Sequence, residues 1–203
     1  MSDSYNYSYE PRNEYCYPGT NILVNKLNLR DAASLHDAER NITFLRTLDF
    51  MDLKHEGAFN FEHLKAIHRH IFSDIYDWAG EMRRGEFLTK GGTIFCRGQF
   101  LESMAADIFK KLHNEHELKG LEKTEFISRL AYFMAEINVL HPFREGNGRV
   151  AREFFRQLSA NAGFELDFSN TGKAELLDAD VKAFYREYNP LIAILDSAVS
   201  HIQ

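Results

Sequence analysis

Residues 141–149 of this 203-residue chain read HPFREGNGR, and Arg152 follows them. Proline at 142 disfavours helical geometry at the residue before it, so the preceding helix is predicted to end at His141. Gly146 and Gly148 allow the backbone to approach a ligand closely, and a new helix begins with its positive dipole end at the same place. The stretch therefore predicts a cradle for an anion, with a histidine at its rim.

Side chains beside the cradle indicate which anion it binds. Arg149, Arg152 and Arg156 fall within an arc of about 60° when successive residues lie about 100° apart on a helix. The planar guanidinium suits phosphate oxygens, and Glu145 amid this positive charge is a candidate ligand for a magnesium ion shared with those phosphates. His141 supplies a base that can take a proton from an attacking hydroxyl near neutral pH.

Two other kinds of binding site fit parts of the sequence less well. Residues 146–151, GNGRVA, match a dinucleotide-binding fingerprint with acidic residues about twenty positions on, but that fingerprint requires a preceding strand and a helix is predicted there. The histidine pairs at 68 and 70 and at 113 and 116 suggest zinc, but no further spaced Cys or His ligands accompany them. We therefore expect surface histidines at these four positions.

Outside this stretch the hydrophobic pattern is that of a helical bundle. Apolar residues recur at three- and four-residue steps, and such periodicity predicts helices. The predicted helices run from Leu29 onward, over 60–78, 100–112, 126–140 and 149–162 with Gly163 as a stop, and from Lys173 to the end with an interruption at Pro190. The predicted fold class is all-α.

One segment is predicted to form strands instead. FLT at residues 87–89 and TIFC at 93–96 are β-prone runs on either side of Lys90-Gly91-Gly92, a pattern typical of a β-hairpin. A lone hairpin on a helical body is marginally stable, so either the body pins it or a partner uses it.

The first 17 residues are interpreted as an N-terminal arm. They hold five of the nine tyrosines among polar residues, and Pro18-Gly19 follows them. We expect an extended segment that lays its rings on the body, with a modified or partner-binding tail as the other interpretation. Residues 18–203 are then predicted to form one compact domain.

Composition and charge exclude several classes of protein. Hydrophobic residues make up 44% of the chain and charged residues 27%, the balance of a soluble globular protein. A net charge of −6 opposes a broad nucleic-acid-binding face. No apolar run reaches the roughly 20 residues that span a bilayer, so no membrane contact is expected. The start of the chain lacks a secretory signal, so a cytoplasmic location is expected, with Cys16 and Cys96 reduced.

The stretch at 141–152 resembles the signature HPFx[D/E]GNGRxxR of the Fic family (filamentation induced by cAMP), and it matches every signature position. The resemblance extends from about Tyr17 to about Ile194, and it includes the segment at 67–80 and the hairpin turn at Lys90. It implies the Fic fold, a helical bundle with one β-hairpin flap. It also implies the family's usual activity, which is transfer of AMP from ATP to a Ser, Thr or Tyr hydroxyl of a protein.

The resemblance also implies roles for individual residues. His141 would deprotonate the target hydroxyl as it attacks the α-phosphate, and Glu145 would hold Mg²⁺ against the α- and β-phosphates. The flap, residues 87–96, would pair with the target's backbone as an added strand. Gly148 is the form associated with AMP transfer, since relatives with lysine there act as protein kinases. The implied nucleotide contacts are Lys90, Arg144, Glu145, Gly146, Asn147, Gly148, Arg149 on the β-phosphate and Arg152 on the γ-phosphate.

Regulation is the last property that the resemblance bears on. Many Fic proteins carry an inhibitory motif, [ST]xxxE[GN], whose glutamate pairs with the second arginine, and no Ser or Thr of this chain starts such a motif. The chain instead resembles bacterial toxins whose inhibitory helix comes from a separate small antitoxin protein. Some of those toxins modify the ATPase subunits of DNA gyrase and topoisomerase IV, which makes these the candidate targets. Two alternatives stay open: a non-catalytic nucleotide-binding adaptor on the same fold, and a Fic enzyme that transfers another phosphate-containing group.

Overall fold

The computed structural model describes residues 7–9, 14–50, 57–85, 88–90 and 93–202. Within these ranges the chain is a helical bundle with short strands, which confirms the predicted fold class. The elements are β1 (Tyr7–Tyr9), α1 (Ala32–Leu48), α2 (Phe61–Phe72), β2 (Leu88–Lys90), β3 (Thr93–Ile94), α3 (Leu101–Asn114), α4 (Lys123–Leu140), α5 (Asn147–Asn161), β4 (Phe164–Leu166), α6 (Lys173–Phe184), α7 (Asn189–Ala198) and β5 (Val199–His201).

Helix α4 is the centre of the bundle. It is apolar around most of its circumference, and a helix of that kind is stable only when other elements cover it. Helices α3, α5, α6 and α7 pack around it. Its buried side chains are Phe126, Ile127, Leu130, Ala131, Phe133, Met134, Ala135, Ile137 and Leu140. Because four helices hold α4, the residue that follows it has a fixed position as well.

Two helices have bounds that differ from those predicted from the hydrophobic pattern, and capping residues fix where they begin. Helix α1 begins at Ala32 rather than Leu29, because the Asp31 carboxylate accepts hydrogen bonds from the backbone N–H groups of Ala33 and Ser34. Helix α2 begins after Asn60, whose side chain accepts from His63 N at 2.9 Å. It ends at Phe72, six residues before the predicted limit, since the chain turns at 73–80.

The predicted hairpin is present, and the body pins both of its ends. Strands β2 and β3 pair antiparallel, with Thr89 opposite Ile94. Before β2, Arg83 N donates to Pro142 O at 2.8 Å; after β3, Cys96 N donates to Val139 O at 3.0 Å. The flap is therefore attached at two points to the end of α4.

The expectation of an isolated hairpin is wrong, because a third strand joins it. Strand β1 pairs antiparallel with β2, with Tyr7 opposite Lys90 and Tyr9 opposite Leu88. The sheet order is β1-β2-β3, so β2 is the central strand. A three-residue strand among polar residues gives too short an alternation to be recognised from sequence alone.

A second small sheet was also missed. Strand β4 pairs antiparallel with β5, with Leu166 opposite Val199, so the last helix ends at Ala198 and does not run to the end of the chain. Phe164 stacks on Phe126 of α4 with ring centroids 4.2 Å apart. This sheet closes the bundle beside the C-terminal end of α5.

The root of the N-terminal arm lies on the body as expected. The Tyr15 ring packs edge-on against Trp78 with centroids 5.7 Å apart, and the buried Tyr17 ring lies under the Arg30 guanidinium. Cys16 and Cys96 are both free thiols, and both are buried. Of the helices that the structure describes, none has the length and apolar character to cross a bilayer.

Candidate active site

Helix α4 ends where Pro142 predicted, and His141 takes an unusual backbone conformation there. Its φ is +44° and its ψ is +59°, the left-handed region that residues with a β-carbon seldom occupy. Its N–H still donates to Ile137 O at 3.1 Å, and its carbonyl accepts from Arg83 Nε at 2.8 Å. Backbone strain of this kind concentrates at functional sites, where the surrounding structure holds it in place.

The His141 imidazole is held so that one ring nitrogen can act as a base. Nδ1 lies 3.2 Å from the carbonyl oxygen of Asn138, and since a carbonyl only accepts, Nδ1 carries the hydrogen. The lone pair is then on Nε2. The Phe95 ring, directly after β3, stacks on the imidazole with centroids 3.8 Å apart. The flap therefore orients the ring of the candidate base.

The loop after His141 is closed by Asn147. Its Oδ1 accepts from Phe143 N at 2.9 Å and its Nδ2 donates to Phe143 O at 2.8 Å. This side chain was predicted among the ligand contacts, and the structure uses it to fix the shape of the loop. Gly146 has a φ of +83°, and a β-carbon there would lie 2.2 Å from the ring of Phe72. Glycine is therefore required at this position.

Glu145 lies beside the loop and close to Arg149. Its Oε1 accepts from Gly146 N at 2.9 Å and is 3.7 Å from Arg149 Nη2. Within the described residues no group of three His, Cys, Asp or Glu side chains is placed to hold a metal ion. A single half-buried carboxylate does suit Mg²⁺, which is typically held by one or two carboxylates together with substrate phosphates and water.

Arg149 has an internal acidic partner that the sequence analysis did not predict. Its Nη2 donates to Glu39 of α1, and its Nη1 donates to Thr43 Oγ1 at 2.9 Å. Glu39 also accepts from the Tyr76 hydroxyl at 2.5 Å. Burial and the Glu39 charge raise the pKa of Tyr76, so it stays a neutral donor. Arg149 thus enters the site as one member of a buried network.

The spacing of residues in α1 could have indicated that Glu39 is buried. Leu35, Glu39 and Thr43 follow one another at four-residue steps, and all three are buried on one face of α1. A glutamate on the inward face of an amphipathic helix requires a partner of opposite charge. Only the packing of α1 beside α5 shows that this partner is the arginine of the glycine-rich stretch.

The arginines at 149, 152 and 156, predicted to share one face of α5, have different surroundings in the structure. Arg156 pairs with Glu153 at 2.8 Å and donates to Phe50 O at 2.9 Å, so it is a structural residue. Arg152 is exposed, and within the described part of the chain no hydrogen bond or ion pair is recorded for it. Asp180 of α6 lies near enough to interact with it by charge, and burial raises the pKa of Asp180 to about 6.

Of the two remaining residues from the sequence prediction, Arg144 lies apart from this cluster. Arg144 is buried, with its guanidinium 5.9 Å from the Tyr15 ring centroid and Nη2 4.0 Å from Cys16 Sγ. The structure therefore places its side chain against the arm root rather than beside Arg149. Lys90 ends β2, and its side chain and the turn at 91–92 lie outside the described residues.

His68 is the histidine for which the surface expectation is wrong. It is fully buried, stacked between Phe72 and Phe143 with centroids 4.8 Å and 4.0 Å away. Its Nδ1 accepts from Gly80 N at 2.7 Å, so Nε2 carries the hydrogen and donates to Glu145 O at 3.1 Å. His68 therefore supports the loop from below. His113 and His116 are exposed and His70 is half-buried.

Comparison with known proteins gives consistent relatives. The sequence profile described as the Fic/DOC family matches residues 58–159. The chain is 37% identical over 202 residues to the probable protein adenylyltransferase Fic of Escherichia coli, covering 98% of this chain and 97% of that protein. It is 35% identical over 188 residues to the protein adenylyltransferase VbhT of Bartonella schoenbuchensis, covering 92% of this chain but only 39% of VbhT.

A solved structure resembles the fold closely. The crystal structure of the effector BepC of Bartonella tribocorum with bound AMPPNP has a TM-score of 0.90 and 26% sequence identity. The match covers 94% of this chain and 98% of that one. The bundle and flap described above are therefore shared with a protein that has been solved with an ATP analogue.

Burial of His68 predicts how stability depends on pH. Burial lowers the pKa of His68 from 6.5 to about 3, so between these values the unfolded chain binds the proton more tightly. The contribution of His68 to the free energy of unfolding is therefore complete above pH 6.5. It is lost as the pH falls towards 3, and the free energy of unfolding then falls by up to about 1.4 kcal/mol per pH unit. Asp180, whose pKa is raised, acts in the opposite direction below pH 6.

The His68 contribution is isolated by comparing two variants with the parent chain. In urea unfolding followed from pH 7 to 4, His68→Gln should flatten the pH dependence, and the exposed His113→Gln is the control. The Asp180 contribution cancels in each difference. Parallel curves for the parent and His68→Gln would contradict the assignment.

The Glu39 network predicts a large loss of stability from a small change. Glu39→Gln removes the nearer of the two carboxylates beside the Arg149 guanidinium, and we expect the free energy of unfolding to fall by about 1–3 kcal/mol. Asp37→Asn on the same helix is the control, because its pair with Arg40 is exposed and is expected to contribute about 0–1 kcal/mol. Equal losses in urea unfolding would argue against a buried network.

Proposed function

The chain belongs to the Fic/DOC family of protein adenylyltransferases, and we propose that it transfers AMP from ATP to a serine, threonine or tyrosine hydroxyl of a target protein. The observation that carries this proposal is the position of His141. A base with its lone pair on Nε2 stands at the rim of a glycine loop, and the following helix starts with its positive end at that loop. A module that only bound nucleotide would need the loop but not the base.

The proposed reaction moves one proton and exchanges one bond at phosphorus. Nε2 of His141 takes the proton of the target hydroxyl as its oxygen attacks the α-phosphorus of ATP. The bond from the α-phosphorus to the oxygen that bridges the α- and β-phosphates breaks, and pyrophosphate leaves in line. The target then carries AMP on its hydroxyl oxygen, and the proton is on the imidazole.

The phosphates are assigned to the start of α5. The backbone of Gly146, Asn147 and Gly148 would receive the anion, and Arg149 and Arg152 would bind the β- and γ-phosphates. Arg149 donates through Nη2 to Glu39 and through Nη1 to Thr43, so the fork is already oriented before a nucleotide enters. Such preorganisation lowers the cost of binding.

Magnesium is assigned to Glu145. Its carboxylate would hold Mg²⁺ together with phosphate oxygens, and the bound ion would neutralise charge on the phosphates. In the structure that carboxylate accepts from Gly146 N, so this hydrogen bond competes with the ion. His68 keeps the Glu145 backbone in place from the buried side.

The flap is assigned the binding of the target protein. Because Arg83 and Cys96 attach it to the end of α4, a strand added to it would lie close to His141. Main-chain hydrogen bonds provide affinity in strand addition and leave side-chain identity open. This arrangement would let one enzyme accept different hydroxyl side chains. Lys90, at the turn of the flap, stays a predicted nucleotide contact.

Labelled ATP tests the reaction. ATP labelled at the α-phosphate should transfer label to protein acceptors, and ATP labelled at the γ-phosphate should transfer none. His141→Ala should lower the transfer rate by about 100-fold or more while ADP affinity, measured by calorimetry, stays within a few-fold.

The exposed His113→Ala is the matched control and should behave as the parent does. Label arriving from the γ-phosphate would indicate a kinase. ADP binding without any transfer would favour the non-catalytic adaptor, and transfer of a different labelled group would favour another Fic reaction.

Control by a separate antitoxin is also part of this proposal. A groove of about 890 Å³ lies between α1 and α5, and Arg149 and Arg152 form part of its wall. Phe44 and Ile202, which also line it, are 62% and 53% exposed. Such a surface suits an amphipathic helix with an acidic residue, and a glutamate placed on Arg152 would take the position proposed for the γ-phosphate.

The role of a toxin follows from that mode of control. DNA gyrase and topoisomerase IV ATPase subunits are the candidate targets, by resemblance to other toxins of the family. A cytoplasmic location, where ATP and these targets occur together, stays a prediction.

An antitoxin provides a sharp test. A small partner with the motif Ser/Thr-x-x-x-Glu-Gly should bind the chain and block transfer, and its Glu→Gly variant should bind within a few-fold yet leave transfer active. Both are measured by calorimetry and by transfer of α-label. The purified chain alone should bind ATP. A chain whose ATP affinity is low until one of its own termini is trimmed would contradict a partner in trans.

A further inference from the structure

We propose that the chain's own strand β1 occupies the edge of the flap to which a target strand would be added, so that a target must displace it. This inference rests on the proposed function, since it concerns access to the same flap. The N-terminal arm would then regulate target binding, and it would do so away from the nucleotide site. The contact would lower apparent affinity for targets without changing affinity for ATP.

The pairing leaves β2 without an open edge. Strand β3 covers one side of β2, and β1 covers the other along its full length of three residues. Strand addition requires a row of unpaired N–H and C=O groups. On β2 the Thr89 N–H and C=O face β1, whereas Leu88 O accepts from Phe95 N on the β3 side. The remaining edge belongs to β3, which is two residues long and leads directly into residues attached to the bundle.

The flap whose edge is covered is attached at the candidate base. Arg83, five residues before β2, donates through Nε to the His141 carbonyl and through its backbone N to Pro142 O. Phe95, directly after β3, stacks on the His141 ring. The flap whose edge β1 covers is therefore the segment that orients His141.

The anchoring of the arm root makes the intramolecular pairing persistent. The Tyr15 hydroxyl accepts from Arg84 N at 2.7 Å, and its ring packs against Trp78. The arm thus leaves the body four residues from the start of β2, and only residues 10–14 connect it to β1. A short tether of this kind gives an effective concentration on the order of millimolar. A target strand in solution has to compete with that concentration.

The strength of this competition is limited by the length of β1. Three cross-strand pairs favour the state with β1 paired over the state with β1 released by a factor on the order of threefold to tenfold, so β1 does not block the edge completely. The arm therefore acts as a selective filter. A target with a longer strand, or with additional contacts to the body, displaces it, and a weakly binding segment does not.

Amide hydrogen exchange tests the covered edge directly. A chain lacking residues 1–10 should exchange the Thr89 amide, which faces β1, faster than the full chain, and a chain lacking residues 1–4 should match the full chain. Exchange in α4 should be the same in all three. Because successive N–H groups of a strand point to opposite sides, one of Ser8→Pro and Tyr9→Pro must remove a ladder donor and should reproduce the truncation. Unchanged exchange at Thr89 would overturn the proposal.

A strand peptide tests competition without requiring catalysis. A fluorescent peptide with the sequence of residues 5–11, YNYSYEP, should bind the chain lacking 1–10 about threefold to tenfold more tightly than the full chain. ADP affinity should be equal in both, which shows that the truncated chain is folded. Equal peptide affinity would overturn the proposal.

Transfer of α-label in a lysate links the edge to targets. The chain lacking 1–10 should label the same acceptors at a higher initial rate than the full chain. If the flap amides and the peptide respond but the transfer rate does not, the edge is not where targets dock and the proposal fails. If neither chain labels any protein, the proposed function fails, while exchange and peptide binding still report whether β1 covers the edge.

Discussion

The turn from α4 into α5 is the constraint on which the rest of the site depends. At its start His141 takes a left-handed conformation, and near its end Gly146 lies against the Phe72 ring with no room for a β-carbon. These two residues with positive φ are held by their surroundings. Four helices pack around α4, and Asn147 closes the loop with two hydrogen bonds to Phe143. The candidate base and the predicted anion cradle are thereby fixed relative to each other by a few residues of backbone.

Charge in the site is distributed so that two of the three arginines on α5 pair with glutamates of the chain itself. The chain is acidic overall, and the structure pairs Arg149 with Glu39 and Arg156 with Glu153. These pairs reduce repulsion among the arginines of α5 in the absence of nucleotide. Arg152 is exposed at the groove beside α1, where a phosphate or a partner's carboxylate can reach it. In the proposed function both compete for the same guanidinium.

The proposed partner helix and strand β1 would regulate different parts of one site. A partner helix in the α1–α5 groove would act on the nucleotide, and the arm strand on the flap would act on the target. The two are physically separable, because the first is an ion pair and the second is a backbone ladder. The first depends on one carboxylate of a partner, whereas the second depends on strand length and on a short tether. An enzyme controlled in both ways can hold nucleotide while it still selects among targets.

The sequence determined the features that depend on neighbouring residues. Periodicity indicated the helices, Pro142 indicated where α4 ends, the hairpin followed from two β-prone runs around glycines, and the glycine-rich stretch indicated the phosphate chemistry. Tertiary structure decided what depends on partners distant in the chain: the pairing of Glu39 with Arg149, the burial of His68, the direction of Arg144 towards the arm root, and the sheets formed by β1 and by β4 with β5. A short strand or a buried charge has no local pattern of its own, because only the element packed against it makes it stable.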